Sequence, residues 1–269
     1  MPIMQKKYWD NRKNLSYIYK GESYYTITPI PYYLKRRNIL LHVLAKQMSC
    51  LETGGHVQDF GCGDGWYLNY FYKLFPNLRF SGFDISKNFI SKARSVLSSD
   101  ISLYCGDTDN HSAHQHDLVY AIAVFAHILD EQKVLHIFMD INKTLKKHGK
   151  FIIFEQTSGE EFSVRAGGGG GGYVRRLAAE YVMLAYKAGF VNRMKVTVDF
   201  FIHRYFERCI AKNIYRFFPG DNQEEKRINA NKNGVFRLLS NLACLLSFDP
   251  IRNGDKNYWG NTFFVFEKV

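Results

Sequence analysis

Asp59, Gly61, Gly63 and Gly65 fall where an apolar run gives way to a helical one, in VQDFGCGDGWYLNYF, residues 57–71. Glycines at such a junction let the backbone pass close to a ligand and present its N–H groups. A carboxylate two residues before the first glycine can accept hydrogen bonds from a cationic amine. A merely tight strand-to-helix turn would also use glycine, so this motif alone leaves both readings open. The spacing is G-x-G-x-G, not the G-x-G-x-x-G of dinucleotide-binding turns. A second acid, Asp84 in FSGFDIS, ends the next apolar run, where a carboxylate can hold both hydroxyls of a ribose. A third, Asp107 in LYCGDTD, ends the one after, where it or Thr108 can reach an adenine edge. Three acids at three successive strand ends describe a site for a nucleoside that also bears an amino acid.

The elements that must position these residues alternate. Residues 56–60, 78–83, 101–105, 117–123 and 151–155 are rich in Val, Ile, Leu, Phe and Tyr and read as strands. Between them, SKNFISKARSVL and DEQKVLHIFMDINKTLKK carry apolar residues at three and four spacing and read as helices, with another predicted over Trp66–Leu74. Strand alternating with helix implies a parallel sheet covered on both faces, and ligands of such sheets bind beyond the carboxyl ends of the strands.

The chain has 269 residues, nearly half of them apolar, enough to bury a sizeable core. Its net charge of +11 favours an acidic partner: nucleic acid, a phosphorylated saccharide or an anionic membrane surface. Five scattered cysteines without C-x-x-C spacing read as reduced thiols of a cytoplasmic protein, with no zinc site. No stretch reaches the roughly 20 apolar residues of a membrane span, and the N-terminus lacks the apolar core of a signal peptide, so the expectation is a soluble or peripheral chain. HSAHQH holds His111, His114 and His116 and reads as a solvated loop rather than a metal site. The glycine run at 167–172 is either a flexible lid or an engineered replacement for a loop.

Taken in order, these segments resemble a class I S-adenosylmethionine-dependent methyltransferase. DFGCGDG resembles the family's first motif, GFDIS its acidic loop after the second strand, and GDTD its adenine-side segment. HDLVYAIAVFAHILD resembles the fourth-strand motif, LKKHGKFIIFEQ the turn and strand that follow, and YVRRLAAEYVMLAYKAGF the helix before the sixth strand. The resemblance covers about residues 51–199 and the final NTFFVFEKV. It implies an α/β, Rossmann-like seven-stranded sheet, mostly parallel with an antiparallel last strand, flanked by helices. It also implies S-adenosylmethionine as cofactor and S-adenosylhomocysteine as product. Asp59, Gly61 and Gly63 would line the methionine part, with Gly65 permitting close helix packing. Asp84 would take the ribose, Ile85 would pack on adenine, Asp107 with Thr108 would read its edge, and Ala123 and Val124 would lie near the sulfonium. LKKHGK departs from the family's usual Pro-Gly-Gly turn, keeping Gly149 alone.

Methyl transfer to a hydroxyl benefits from a general base, and His127, just past the fourth strand, is the first candidate. Glu155, ending the fifth strand, is the second. Acceptor choice is expected outside the core. Residues 1–50 form an aromatic, basic lid in which Tyr8, Trp9 and Arg12 would meet the methionine carboxylate or the acceptor, joined by Tyr173 and Arg176 beyond the glycine run. Residues 51–202 and 259–269 would form the core, and 203–258 a helical insertion. In that insertion Arg204, Arg208, Lys212 and Arg216 recur every four residues, opposite Phe206, Ile210, Ile214 and Phe217. VFRLLSNLACLLSF is apolar nearly all round; it is expected to be buried against the core, the alternative being a membrane surface. The first expectation for function is O-methylation of a sugar hydroxyl on a bacterial surface glycan or its lipid-linked precursor. A small aromatic, quinone-like or lipid metabolite is the alternative acceptor, and an RNA-directed or non-catalytic cofactor-binding protein comes third, nucleic acid being disfavoured for want of a basic face interleaved with stacking aromatics.

Overall fold

A computed structural model describes residues 9–10, 17–19, 22–24, 30–106, 115–159, 164–166, 172–198, 205–206, 212–221, 223–245, 251–253 and 260–269. In chain order its strands are β1 (Tyr17–Tyr19), β2 (Glu22–Tyr24), β3 (His56–Phe60), β4 (Arg79–Asp84), β5 (Ser102–Cys105), β6 (His116–Ile122), β7 (Leu145–Thr157), β8 (Val164–Ala166), β9 (Tyr173–Arg175), β10 (Phe190–Val198), β11 (Ile251–Asn253) and β12 (Gly260–Lys268). Its helices are α1 (Ile30–Met48), α2 (Trp66–Leu74), α3 (Lys87–Val96), α4 (Glu131–Thr144), α5 (Ala178–Lys187), the single turn α6 (Lys212–Tyr215), α7 (Gln223–Lys232) and α8 (Gly234–Leu245). Two compact units divide the chain: residues 1–11, 45–198 and 251–269 form one, and residues 12–44 and 199–250 the other.

The first unit is built on one sheet in the order β11-β10-β12-β7-β6-β3-β4-β5. Strands β3 to β7 run parallel to one another, and β12 lies antiparallel between β7 and β10. These are the seven expected strands; β11, three residues long, adds an eighth at the edge. The chain runs outward from β3 through β4 to β5, then returns to the other side of β3 with β6, so the order reverses between β3 and β6. Ligands of open α/β sheets bind at such a reversal, beyond the strands' carboxyl ends. All five β3 residues are buried, as a central parallel strand covered on both faces requires.

Local chemistry sets the helix starts. The Ser86 hydroxyl accepts from Phe89 N (3.4 Å) at the head of α3, and Asp130 Oδ1 accepts from Gln132 N (2.9 Å) at the head of α4. Helix α4 buries Val134, Ile137, Phe138 and Ile141, spaced three and four apart, against a core that includes Phe125, Phe151, Phe190 and Phe266. Phe138 meets Phe125 and Phe151 edge-on, with ring centroids 4.9 and 5.0 Å apart.

Two expectations for this unit are corrected. LKKHGK is not a turn ahead of the fifth strand but part of β7, which pairs with β6 from His116↔Leu145 and then shifts register to Leu118↔Lys150. His148 takes a left-handed φ of 62° inside this irregularity, which absorbs the extra residues. His116, expected in a solvated loop, instead begins β6 fully buried, its ring 4.4 Å from that of His56. His111 and His114 lie outside the described residues.

The second unit contains the β1–β2 hairpin, most of α1, and α6 to α8. Phe206, Tyr215, Ala230 and Phe236 form its apolar cluster, with Ile214, Phe218 and Ala243 packed on it. Of the predicted basic stripe, Arg216 is exposed, Arg204 and Arg208 lie outside the described residues, and so does the Lys212 side chain. Phe217, expected on the apolar face, is 74% exposed, because the helix stops at Tyr215. Among the described residues, no helix is long and apolar enough to cross a membrane.

Candidate functional site

Two carboxylates end neighbouring strands in the first unit. Asp59 in β3 is paired across the sheet with Gly82 of β4 and Tyr120 of β6, and is nearly inaccessible. Burial pushes its carboxyl up to about 8; the adjacent Tyr120 hydroxyl works against this and the Asp84 charge adds to it. Asp84 ends β4. Its Oδ2 accepts from Gly63 N (2.9 Å) and its Oδ1 from Ser86 N (2.8 Å). Burial raises its pKa while these two N–H groups hold it down. An ionised carboxylate offers about four lone pairs, so two bonds leave acceptor capacity for a diol.

The turn after β3 folds over these acids because of its glycines. Gly61 N and Cys62 N donate to Phe83 O (2.7 and 2.9 Å), tying the turn to the end of β4. Gly61 has φ 83°, and a Cβ there would come within 2.4 Å of Val124 Cγ2, so the fold itself requires glycine. Gly63 has φ 55° and its missing Cβ would meet nothing within 4 Å among the described residues, so beside Asp84 the backbone borders open space there. Gly65 precedes α2 as its N-cap, with Leu97 Cδ1 2.6 Å from where its Cβ would be. Ile85 follows Asp84 half-buried, and Asp107 and Thr108 lie outside the described residues.

On the other side of the strand-order reversal, β6 is followed by Ala123 and Val124, which lead into the turn Phe125–His127. Ala123 holds φ 54° and donates to Phe154 O (2.9 Å). Two buried charged groups grip this turn. Glu155, 1% exposed, accepts from Phe125 N through Oε1 (2.7 Å). Arg176, 3% exposed, donates from Nη1 to Phe125 O (2.7 Å) and from Nη2 to Ile128 O (2.6 Å). Burial raises the Glu155 carboxyl to about 7, against the backbone N–H groups of Phe125, Val124 and Ala126 and the Arg176 charge, all of which lower it. The guanidinium of Arg176 is therefore directed inward onto the turn, not out to the lid where the sequence placed it. Tyr173 sits half-buried in β9 with the Arg175 guanidinium 5.3 Å from its ring centre.

His127 is the half-exposed member of the turn, and the Trp9 ring meets its imidazole edge-on at 5.0 Å. Asp10, which sequence reasoning did not single out, sits beside the head of α3: its Oδ1 accepts from Ser86 Oγ (2.9 Å) and Lys87 N (3.0 Å), and its carbonyl accepts from Asn88 Nδ2. Trp9–Asp10 thus contact both halves of the site, the α3 head next to Asp84 and the His127 turn. An acid beside tryptophan in the N-terminal segment, with a serine cap downstream in DIS, is the signal that was available. Tyr120 was also missed; inside an apolar strand its phenol looks like core. Tyr8 and Arg12 lie outside the described residues. Among the described residues no group of acids, histidines or cysteines is arranged to hold a metal.

Residues 57–149 match the methyltransferase-domain family. No curated protein matches the chain. Among solved structures, an O-methyltransferase of a trans-AT polyketide synthase from Brevibacillus brevis, bound to S-adenosylhomocysteine, aligns with a TM-score of 0.56 at 15% identity over 80% of this chain and 67% of its own. A Haemonchus contortus phosphoethanolamine N-methyltransferase, bound to S-adenosylhomocysteine and phosphomonomethylethanolamine, aligns at 0.55 and 17% identity over 98% of this chain, which spans 56% of that enzyme. A protein provisionally assigned as a sarcosine dimethylglycine methyltransferase from Galdieria sulphuraria aligns at 0.57 and 13% identity over 99% and 98% of the two chains. At these identities the likeness is one of fold. The strand order and the acids at the ends of β3 and β4 agree with that match: the chain has the Rossmann-like fold of class I methyltransferases, and residues 57–149 match their domain.

Proposed function

We propose that the chain uses S-adenosylmethionine to methylate a hydroxyl group, and that the hydroxyl belongs to a sugar of a surface glycan or its lipid-linked precursor. The observation that carries the cofactor is the open space over Gly63, bordered by Asp84, whose acceptor capacity is only partly used. The residues fit that molecule: Asp59 would hold its amino group, Asp84 its ribose, and Ile85 its adenine. When bound, S-adenosylmethionine supplies a methyl group on a sulfonium open to in-line displacement. The chain's own task is then to align an acceptor lone pair and to exclude water.

The acceptor side follows from the turn after β6. His127 is half-exposed and takes the proton from the acceptor hydroxyl. Glu155, buried beneath the turn, positions it through Phe125 N, as Arg176 does through two carbonyls. The Trp9 ring over His127 offers a flat apolar wall with a polar edge, suited to one face of a sugar.

Calorimetric titration with S-adenosylmethionine, S-adenosylhomocysteine and NAD, repeated on Asp84→Ala, tests the cofactor. Micromolar binding of the first two and its loss in the variant support the reading; binding of NAD alone overturns it. Radiolabelled methyl transfer to a panel of sugars, phenols, lipids, amines and RNA then tests the acceptor, with His127→Ala expected to lower turnover and leave cofactor affinity intact. Transfer to phenols alone would favour the small aromatic reading, and cofactor binding without transfer to any acceptor would favour a non-catalytic protein.

A further inference from the structure

Helix α8 has two faces of opposite fate. Phe236 and Ser240 are buried, and Phe236 with Ala243 belongs to the second unit's apolar cluster. Val235, Leu238, Leu239, Leu242 and Leu245 recur at spacings of three, one, three and three, which on a helix gathers them into a single stripe. All five are open to solvent, Leu245 at 81% and Val235 at 69%. The sequence-based preference for burial therefore holds for one face only. A contiguous row of five large aliphatic side chains is not the scattered exposure that ordinary surfaces show.

Charge says what covers it. The second unit carries fourteen basic residues against seven acidic, a net +7, while the more than twice longer first unit carries only +4. α8 itself contains no acid, and its one charged residue is Arg237. Exposed Lys232 ends the helix before it, and exposed Arg216 lies over the equally exposed Phe217 ring at 4.8 Å. An apolar helical stripe on a basic body matches a surface that is apolar inside and anionic at its rim; an acidic protein groove would supply only the second with certainty. We infer that the exposed face of α8 docks on an anionic lipid bilayer, lying in the interface plane with the Leu238–Leu242 stripe in the acyl boundary and the unit's cations at the headgroups. This does not rest on the methyl-transfer reading.

Flotation of the full chain with vesicles of phosphatidylcholine alone, or mixed with phosphatidylglycerol, tests it. The wild type should float with the mixed vesicles, roughly ten-fold less with the neutral ones, and less as salt is raised. Leu238→Gln/Leu242→Gln, which alters only exposed side chains, should lose roughly ten-fold of that binding while its melting curve and cofactor titration stay unchanged. Leu245→Trp gives an independent reading, a blue-shifted emission on mixed vesicles alone. Failure of the wild type to float, equal flotation on neutral vesicles, or undiminished flotation of the double variant would each overturn the inference. A concentration-dependent dimer abolished by the double variant, without flotation, would assign the stripe to a second copy of the chain and overturn it as well.

Discussion

Asp84 and Glu155 are both buried carboxylates at the carboxyl ends of sheet strands, yet they are built for different work. Asp84 takes two backbone N–H groups and borders open space at Gly63. Glu155 is enclosed beneath a turn, with Phe125 N on one side and the Arg176 charge near it. The first arrangement leaves a charged group with capacity to spare, which suits a ligand. The second spends its charge on holding protein backbone, which suits positioning. Proximity to the crevice is thus a poor guide to role; the number of partners a carboxylate has inside the fold is a better one.

Arg176→Met would break this comparison most severely. It takes the guanidinium from the carbonyls of Ile128 and of Phe125, the latter keeping the bond from Ile128 N (3.2 Å), and removes the cation beside Glu155. Removing one partner from a buried charged network costs about 3–5 kcal/mol. The melting temperature should fall by roughly 10 °C. Differential scanning calorimetry checks this, and a change within error would mean that the guanidinium does not hold the turn.

Glu155→Gln comes next and acts through pH. In the folded chain the carboxyl titrates near 7, raised from 4.5 chiefly by burial. Between those values the folded state keeps a proton that the unfolded chain has released, so stability falls as pH rises through this window, by at most about 3 kcal/mol. Below 4.5 the effect vanishes because both states are protonated. Glutamine can still accept from Phe125 N but does not titrate, so the variant should lose less stability between pH 5 and pH 8. Urea midpoints across that range measure it; a wild type that gains stability over the window would show that the Arg176 charge outweighs burial.

The glycine turn over Asp84 was legible in the sequence and the hold on the turn after β6 only partly so, for a physical reason. Glycines and acids at strand ends are local signals: Gly61, Gly63 and Asp84 mark a tight turn within a few residues of the strands that carry them. The hold of Glu155 and Arg176 on Phe125 is non-local, joining residues 30 and 51 positions apart in sequence. Neither residue type announces such a partner, so the sequence offers Glu155 only as a second candidate base or a positioning residue and Arg176 only as a substrate or lid residue. Fold was legible because the alternation of apolar runs and helical patterns repeats along the sheet. The strand count was exceeded because β11 is too short to carry a pattern, and His116 was misread because one histidine in a polar run can begin a strand as easily as end a loop.

Gly63→Ala gives the smallest effect on the fold and the sharpest test of the cofactor half. Its φ of 55° is a left-handed conformation, in which alanine costs about 1 kcal/mol relative to glycine. The new methyl meets no atom of the described residues within 4 Å, so no packing term is added. Gly61→Ala has a comparable φ but would place its methyl 2.4 Å from Val124 Cγ2, and so should destabilise by more. If the space over Gly63 is where the cofactor lies, the order reverses in a binding experiment: Gly63→Ala loses affinity for S-adenosylhomocysteine out of proportion to its small shift in melting temperature. Equal, small losses in both measurements would mean that the gap beside Asp84 is not the cofactor's place. A glycine kept for the ligand and one kept for the fold are then told apart by the same substitution at two positions two residues apart.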